Sequence, residues 1–257
     1  MKYSTGHIPD HPEHVSEDLA QRHIGGLIGA RPGASIGRDW RYLLDDVLNQ
    51  GGTESCVAHW FSSALFLASQ VAAERGAGPA LPRISRRWCY NVARWRDQFG
   101  TLIDAGCRPR QMMIGAERNG LIAESAFGWS ELGINEMPPF DLDIAARDML
   151  FSGYYRADAI ADQLRLALDK GHFPGIAMPI HEGFYDYDGK SVYDEPRGKP
   201  TGGMHMVTLI GYEPGAFLML NSWGTGWGDD GFGWLSDRFV ERSDVTDRLV
   251  VTAVSGK

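Results

Sequence analysis

A chain of 257 residues, 43% hydrophobic and 23% charged, sits near the average make-up of globular proteins and has length for one large domain or two lobes. That composition excludes a disordered tail, and 32 glycines without a three-residue period exclude a collagen-like rod. The net charge of −8 opposes polyanion binding. The only dense basic cluster, Arg83, Arg86, Arg87, Arg94 and Arg96, runs through a helical-looking segment with Trp88 and Trp95 and reads as a solvated helix face, so no nucleic-acid partner is expected.

Residues 1–38 read as an arm, broken by Pro9, Pro12, Pro32 and Gly25-Gly26 and lacking apolar periodicity. Its histidines, His7, His11, His14 and His23, have no cysteine or paired carboxylates at ligand spacing, so a surface-draped or partly disordered arm is expected and no metal. The first 25 residues hold no apolar run, so no secretory signal is expected. The longest apolar-rich stretch, Val57 to Ala73, is interrupted by His59, Ser62, Ser63, Ser69 and Gln70 and falls short of the ~20 apolar residues of a membrane span. A cytoplasmic protein without membrane contact is the expectation.

From Cys56 to Arg75, Val57, Trp60, Phe61, Ala64, Leu65, Ala68, Val71 and Ala72 repeat at helical spacing, and Phe66 and Leu67 widen the stripe. The pattern predicts a helix buried on most sides, with Ser55 as N-cap and Gly76 as stop. Further helices are predicted over about Ser85 to Gln98, Pro109 to Asn119 and, after the break at Pro138-Pro139, Asp158 to Lys170. Strand-like runs follow at Gly175 to Ile180, Met206 to Tyr212, Phe217 to Leu220 and Phe232 to Leu235, with Pro214-Gly215 as a turn. Helices first and an antiparallel sheet after make an α+β pattern of two lobes, about 39–135 and 136–257.

Three cysteines, Cys56, Cys89 and Cys107, cannot make a disulfide scaffold and lack zinc spacing. Cys89 lies on a helix between Trp88 and Tyr90 and reads as inert packing, as does Cys107. Cys56 differs, because a sulfur directly after an N-cap sits where unpaired backbone N–H groups converge, which favours its thiolate. Acyl chemistry on such a sulfur also needs donors for an oxyanion. Gln50, six residues upstream across a Gly51-Gly52 turn, can supply a side-chain amide.

The stretch Gln50 to Trp60, Q-G-G-T-E-S-C-V-A-H-W, resembles the first motif of the papain-like cysteine peptidases, and Asp39-Trp40-Arg41 resembles the opening of their mature domain. Gly203 to Tyr212, G-M-H-M-V-T-L-I-G-Y, is similar to the family's histidine strand, and Asn221 to Gly228, N-S-W-G-T-G-W-G, to its asparagine motif. His205 lies 149 residues after Cys56 and Asn221 165 after it, against roughly 130–150 for both in the papain type. Ile84 to Asp97 and Asp104-Ala105-Gly106 extend the likeness to shorter, bacterial-looking members, over about residues 39–240 in all.

The resemblance implies a papain-like two-lobe fold, a peptide or protein substrate and no cofactor. It implies Cys56 as nucleophile, His205 as its ion-pair partner and acid, Asn221 orienting the imidazole under Trp223, and Gln50 with the Cys56 N–H as oxyanion hole. Glu54, Ser55, Met204 and Trp223 would line the substrate cleft. His59, one turn from Cys56, is the rival base; the family places an apolar aromatic there, so His59 is expected to be structural. The matching region of the family also puts Cys107 on the cleft wall.

Four departures reshape the expected cleft without removing a catalytic group. Thr53 stands where many members have a disulfide cysteine, Glu54 replaces a glycine at the primary pocket, Val57 replaces the tryptophan after the nucleophile, and Met204 replaces a small residue before the histidine. The arm is too short for the helical inhibitory pro-domain of lysosomal relatives. Two other readings share these residues: an amidase or ligase in which an amine resolves the thioester, and a binding module that kept the fold without turnover.

Overall fold

The apolar stripe after Ser55 forms α1 (Cys56–Glu74) in the computed structural model, which describes residues 3–15, 36–98, 100–151, 153–252 and 254–256. Every residue from Cys56 to Leu67 is buried, as an all-round apolar helix requires. By length and composition α1 could cross a membrane, but 78% of the relevant window is buried inside the protein. Ser55 holds the N-cap position without capping. Its hydroxyl instead meets Thr53 Oγ1 at 2.7 Å and His59 Nδ1 at 3.3 Å.

One helix packs on α1 and a second packs on the first. In α2 (Arg86–Asp97) Ser85 is a true cap, accepting from the Trp88 N–H at 3.1 Å, and α3 (Pro109–Asn119) opens on proline and ends at Gly120. The arginines of this region are not a solvated face. Arg83, Arg86, Arg87 and Arg94 are buried because each guanidinium has partners: Asp45, Glu124, Glu136, and the side-chain oxygens of Asn91 and Asn135, respectively. Each also lies over an aromatic ring, of Phe66, Trp129, Phe127 and Tyr90 in turn.

After Pro139 a short helix absent from the sequence reading, α4 (Phe140–Ala145), leads into strands β2 (Met149–Phe151) and β3 (Tyr154–Arg156). Helix α5 (Ala161–Lys170) starts later than predicted, because Asp158 and Gln163 bond each other in a turn before it. The remaining strands are β4 (Gly175–His181), β5 (Val192–Tyr193), β6 (Pro200–Glu213), β7 (Ala216–Leu220), β8 (Phe232–Ser236), β9 (Thr246–Val251) and β10 (Val254–Gly256). They build an eight-stranded sheet in the order β3-β9-β4-β6-β7-β8-β5, with β1 (Arg38–Asp39) added to the end of β6 and β10 pairing β2 apart. Most pairs are antiparallel; β5 and β8 run parallel. The predicted Met206–Tyr212 run is the second half of β6, the longest strand and the one that carries the site.

Helix α1 approaches this sheet at Gly175, where an added Cβ would stand 2.3 Å from the Trp60 indole. Gly175→Ala must push the helix away, and overpacking of this kind costs ~1–3 kcal/mol. Denaturant titration should show a loss in that range; an unchanged midpoint would show that the contact yields freely.

Candidate active site

Cys56 is the first residue of α1 and has no exposed surface. The backbone N–H groups of Met206, Val57 and Cys56 itself hydrogen-bond its sulfur, so the helix start and β6 converge on one atom. His205 precedes Met206 on β6, in register with Met178 of β4, and is fully buried. Its Nε2 donates to Asn221 Oδ1 at 2.7 Å, while Nδ1 has no hydrogen-bond partner among the described residues. Asn221 Oδ1 also accepts from the Ser222 N–H at 2.8 Å, which fixes the amide. The Trp223 ring stands over the imidazole, 4.6 Å between centroids and tilted 30°.

Gln50 is locked from three directions. Its N–H donates to the Ser222 carbonyl at 2.8 Å and its Oε1 accepts from the Ser222 hydroxyl at 2.7 Å. Its Nε2 donates to the Thr53 carbonyl at 2.7 Å, which leaves the second amide proton for the cleft. Thr53, at the position of the missing cysteine, thus orients Gln50 through its carbonyl.

His59 is structural. Its Nδ1 donates to the Ser55 carbonyl at 3.0 Å, its Nε2 accepts from Arg86 at 3.3 Å, and burial holds its pKa well below the usual imidazole value. Ser55 is wholly buried, with its hydroxyl engaged by Thr53 and His59. Glu54 is half-buried and, among the described residues, has no ion pair; burial and then Asp104 raise its pKa. Cys89 is buried, and burial raises its thiol well above the usual value.

The arm does not simply drape the surface. Residues 3–10 form a strap through the groove between Cys56 and His205. Tyr3 stacks on Trp223 with centroids 4.6 Å apart, and the Ser4 carbonyl accepts from Gln50 Nε2 at 3.3 Å and from Trp223 Nε1 at 3.1 Å. The N–H groups of Gly6 and His7 donate to the Met204 carbonyl at 3.2 and 3.1 Å. Across the groove, Cys107 N–H donates to the Gly6 carbonyl at 3.0 Å and accepts at its own carbonyl from Ile8 N–H at 3.2 Å, a parallel bridge centred on His7. Cys107 therefore lines the cleft with its main chain, and Met204 contributes its carbonyl. Beyond the bridge, His7 Nε2 meets Asp247 Oδ2 at 2.7 Å, Asp247 Oδ1 takes Arg156 at 2.6 Å, and Arg156 also pairs with Asp10. Among the four arm histidines, His23 lies outside the described residues; the His11 and His14 rings meet edge to face.

The strap reverses one electrostatic expectation. Burial pushes the Cys56 thiol up to about 12, against the smaller lowering by its N–H donors, and burial takes His205 down to about 4 against the help of Asn221. Burial thus opposes charge on each of these two groups more strongly than the N–H donors and Asn221 favour it.

Residues 149–252 match the sequence profile of the papain family cysteine proteases. The cathepsin B-like cysteine proteinase 6 of Caenorhabditis elegans is 46% identical over 61 residues, covering 22% of this chain and only 16% of that relative's length. Xylellain, a cysteine protease from Xylella fastidiosa, superposes with a TM-score of 0.78 at 19% identity, covering 97% of this chain and 96% of its own. That profile spans less than half of this chain, and at 19% identity the superposition shows a papain-like fold. Digestive procathepsin L 3 of Tenebrio molitor (TM-score 0.65, 18% identity, 93% of this chain and 78% of that one) shares the papain-like fold. So does a Carica candamarcensis protease solved with E-64 (0.63, 18%, 85% and 98%).

Sequence reasoning missed the strap and its anchors Tyr3, Asp10, Arg156 and Asp247. The available signal was charge inside strand-like text: Asp247-Arg248 opening an otherwise apolar β9, and Arg156 after two tyrosines. The strap passes because residue 6 is glycine. Its φ is +143° and an added Cβ would stand 2.1 Å from the Glu54 carbonyl oxygen. Gly6→Ala should expel the strap and speed iodoacetamide alkylation of Cys56 at pH 7 at least tenfold, with Cys89 unchanged. The parent's rate should climb through pH 9 without levelling, since its thiol is pushed up to about 12, while the variant's should level near neutrality. Equal rates and profiles would show that the strap does not seal the sulfur.

Proposed function

We propose that the protein hydrolyses peptide bonds through a thioester on Cys56, with His205, Asn221 and Gln50 as partners. The observation that carries this reading is that the groove between Cys56 and His205 already receives an extended peptide by its main chain, with a carbonyl on the Gln50 amide. A substrate takes that place once the strap leaves and water re-enters.

Each step uses a group already in position. Cys56 passes its proton to His205 Nδ1, the nitrogen that the Asn221 hydrogen bond leaves facing the groove. The sulfur attacks the carbonyl carbon, and the oxyanion takes the second Gln50 Nε2 proton and the Cys56 N–H. Collapse expels the amine, which receives its proton from His205 Nδ1. The same nitrogen then deprotonates water, which attacks the thioester, releases the acid and returns the thiol. Trp223 over the ring shelters the Asn221 bond from water, and a neutral asparagine suffices because it orients the ring rather than balancing a charge. Glu54 beside the sulfur and the Met204 carbonyl are the proposed substrate contacts on either wall.

Loss of one oxyanion donor costs ~10²–10³ in turnover. On a Gly6→Ala background, Gln50→Ala should lower peptide turnover on that order while leaving peptide binding unchanged, and His205→Ala should lower it further. Full activity in both variants, or silencing by His59→Ala alone, would remove the assignment.

A further inference from the structure

One face of α2 lines a cavity of about 570 Å³ that shares no residue with the Cys56 groove. Trp88, Val92, Trp95 and Arg96 recur there at helical spacing and make one wall. The other wall is the entry into α4, Met137 to Phe140. The volume falls in the range of small-molecule sites, ~300–1,000 Å³.

Both walls are largely apolar and stand open to solvent: Trp95, Met137 and Phe140 are exposed, Phe140 at 82%. Trp88 is buried and spends its indole N–H on the Gly120 carbonyl at 3.1 Å, so it offers the cavity no donor. Pro138 and Pro139 stiffen the second wall, because proline locks φ; Pro139 is extended, with φ −55° and ψ 142°. An occupant does not have to order that wall, which lowers the cost of binding.

The charges in the cavity are unbalanced. Arg83, Arg86 and Arg87 nearby in the chain each have a carboxylate partner, whereas Arg96 has none among the described residues. Its Nε is shut off from solvent and has no hydrogen-bond partner there. Burial and then Arg118 lower its pKa from the usual value, so the charge standing near this guanidinium is a second cation. Arginine nonetheless stays charged at neutral pH. The stem lies against α3, where an added Cβ at Gly115 would stand 3.7 Å from Arg96 Cδ. The one carboxylate on the lining, Asp143, lies 4.0 Å from Arg147. A partly desolvated arginine without a counter-charge, in a chain of net charge −8, favours an anion at this spot. A carboxylate accepting from its outer N–H groups would make the strong, charge-assisted kind of hydrogen bond. The aromatic side chains on both walls suit a flat apolar body.

We propose that this cavity binds a small aromatic carboxylate, with its ring system between the Trp95 and Phe140 walls and its carboxylate on Arg96. The site goes beyond peptide hydrolysis and does not rest on the chemistry at Cys56.

Naphthoate and its neutral isostere naphthamide are suitable probes, titrated into the full chain at low salt and followed by calorimetry. Naphthoate should saturate one site per chain and bind at least tenfold more tightly than naphthamide. In Arg96→Met, which keeps the apolar stem and loses the charge, that preference should vanish with the thermal midpoint unchanged. Trp95→Ala should weaken both probes severalfold, and Cys56→Ser should leave both unchanged. Added salt gives the same reading without a substitution, weakening naphthoate and sparing naphthamide, so a poorly folded Arg96→Met protein does not stall the test. Absence of saturable binding up to millimolar naphthoate, equal affinity for acid and amide, a preference untouched by salt, or binding lost in Cys56→Ser overturns the proposal. So does a second copy of the chain as occupant, seen as a dimer in sedimentation velocity that Trp95→Ala returns to monomer.

Discussion

Trp60 of α1 rests where Gly175 of β4 has no side chain, and the rest of the site depends on how close that lets the helix come to the sheet. Cys56 lies one turn before Trp60 on the same helix. At this separation the Met206 N–H of β6 reaches its sulfur, and His205 is the next residue back along the strand. A side chain at position 175 would lift the helix start away from both. The loop after β7 completes the arrangement, because Asn221 holds the imidazole while Ser222 holds Gln50 from its backbone and its side chain. One close packing contact and one short loop therefore bring four parts of the chain to a single point.

The same geometry sets the electrostatics of the buried pair. Three N–H donors favour the thiolate, yet burial pushes the thiol up to about 12 and the imidazole down to about 4. Desolvation acts on both partners at once, so neither can charge without the other and neither charges alone. The strap brings this about with ordinary peptide hydrogen bonds and a glycine. It satisfies the groove's donors and acceptors as a peptide would, and its charged residues saturate the buried pair at the far end.

What could be read from the sequence followed from local rules. The helix stripe after Cys56, the Ser85 cap, the proline at the start of α3 and the glycine after α5 are each set by neighbours within a few residues, so spacing alone located them. The motifs around Cys56, His205 and Asn221 were legible as short runs of residues that resemble those of a known family, although their side chains meet only across the fold. Tertiary partners hid the rest. The arginines of α2 looked solvated because their carboxylates stand about 38 to 49 residues away, at Glu124 and Glu136. Strand β9 was missed because Asp247-Arg248 breaks its apolar run, and those charges make sense only beside Arg156 and a strap more than two hundred residues earlier in the chain. Ser55 read as a cap, but its hydroxyl is taken by Thr53 and His59.

Peptide-bond hydrolysis at this site requires the acyl group of a bound peptide to pass to the Cys56 sulfur. The most direct measurement is acid quenching of Gly6→Ala protein within the first turnovers of a peptide ester, followed by digestion and mass analysis. The acyl mass is expected on the peptide containing Cys56, cleared on longer incubation and missing in Cys56→Ser. Product formation with no acyl mass on Cys56, or full activity in Cys56→Ser, would contradict it.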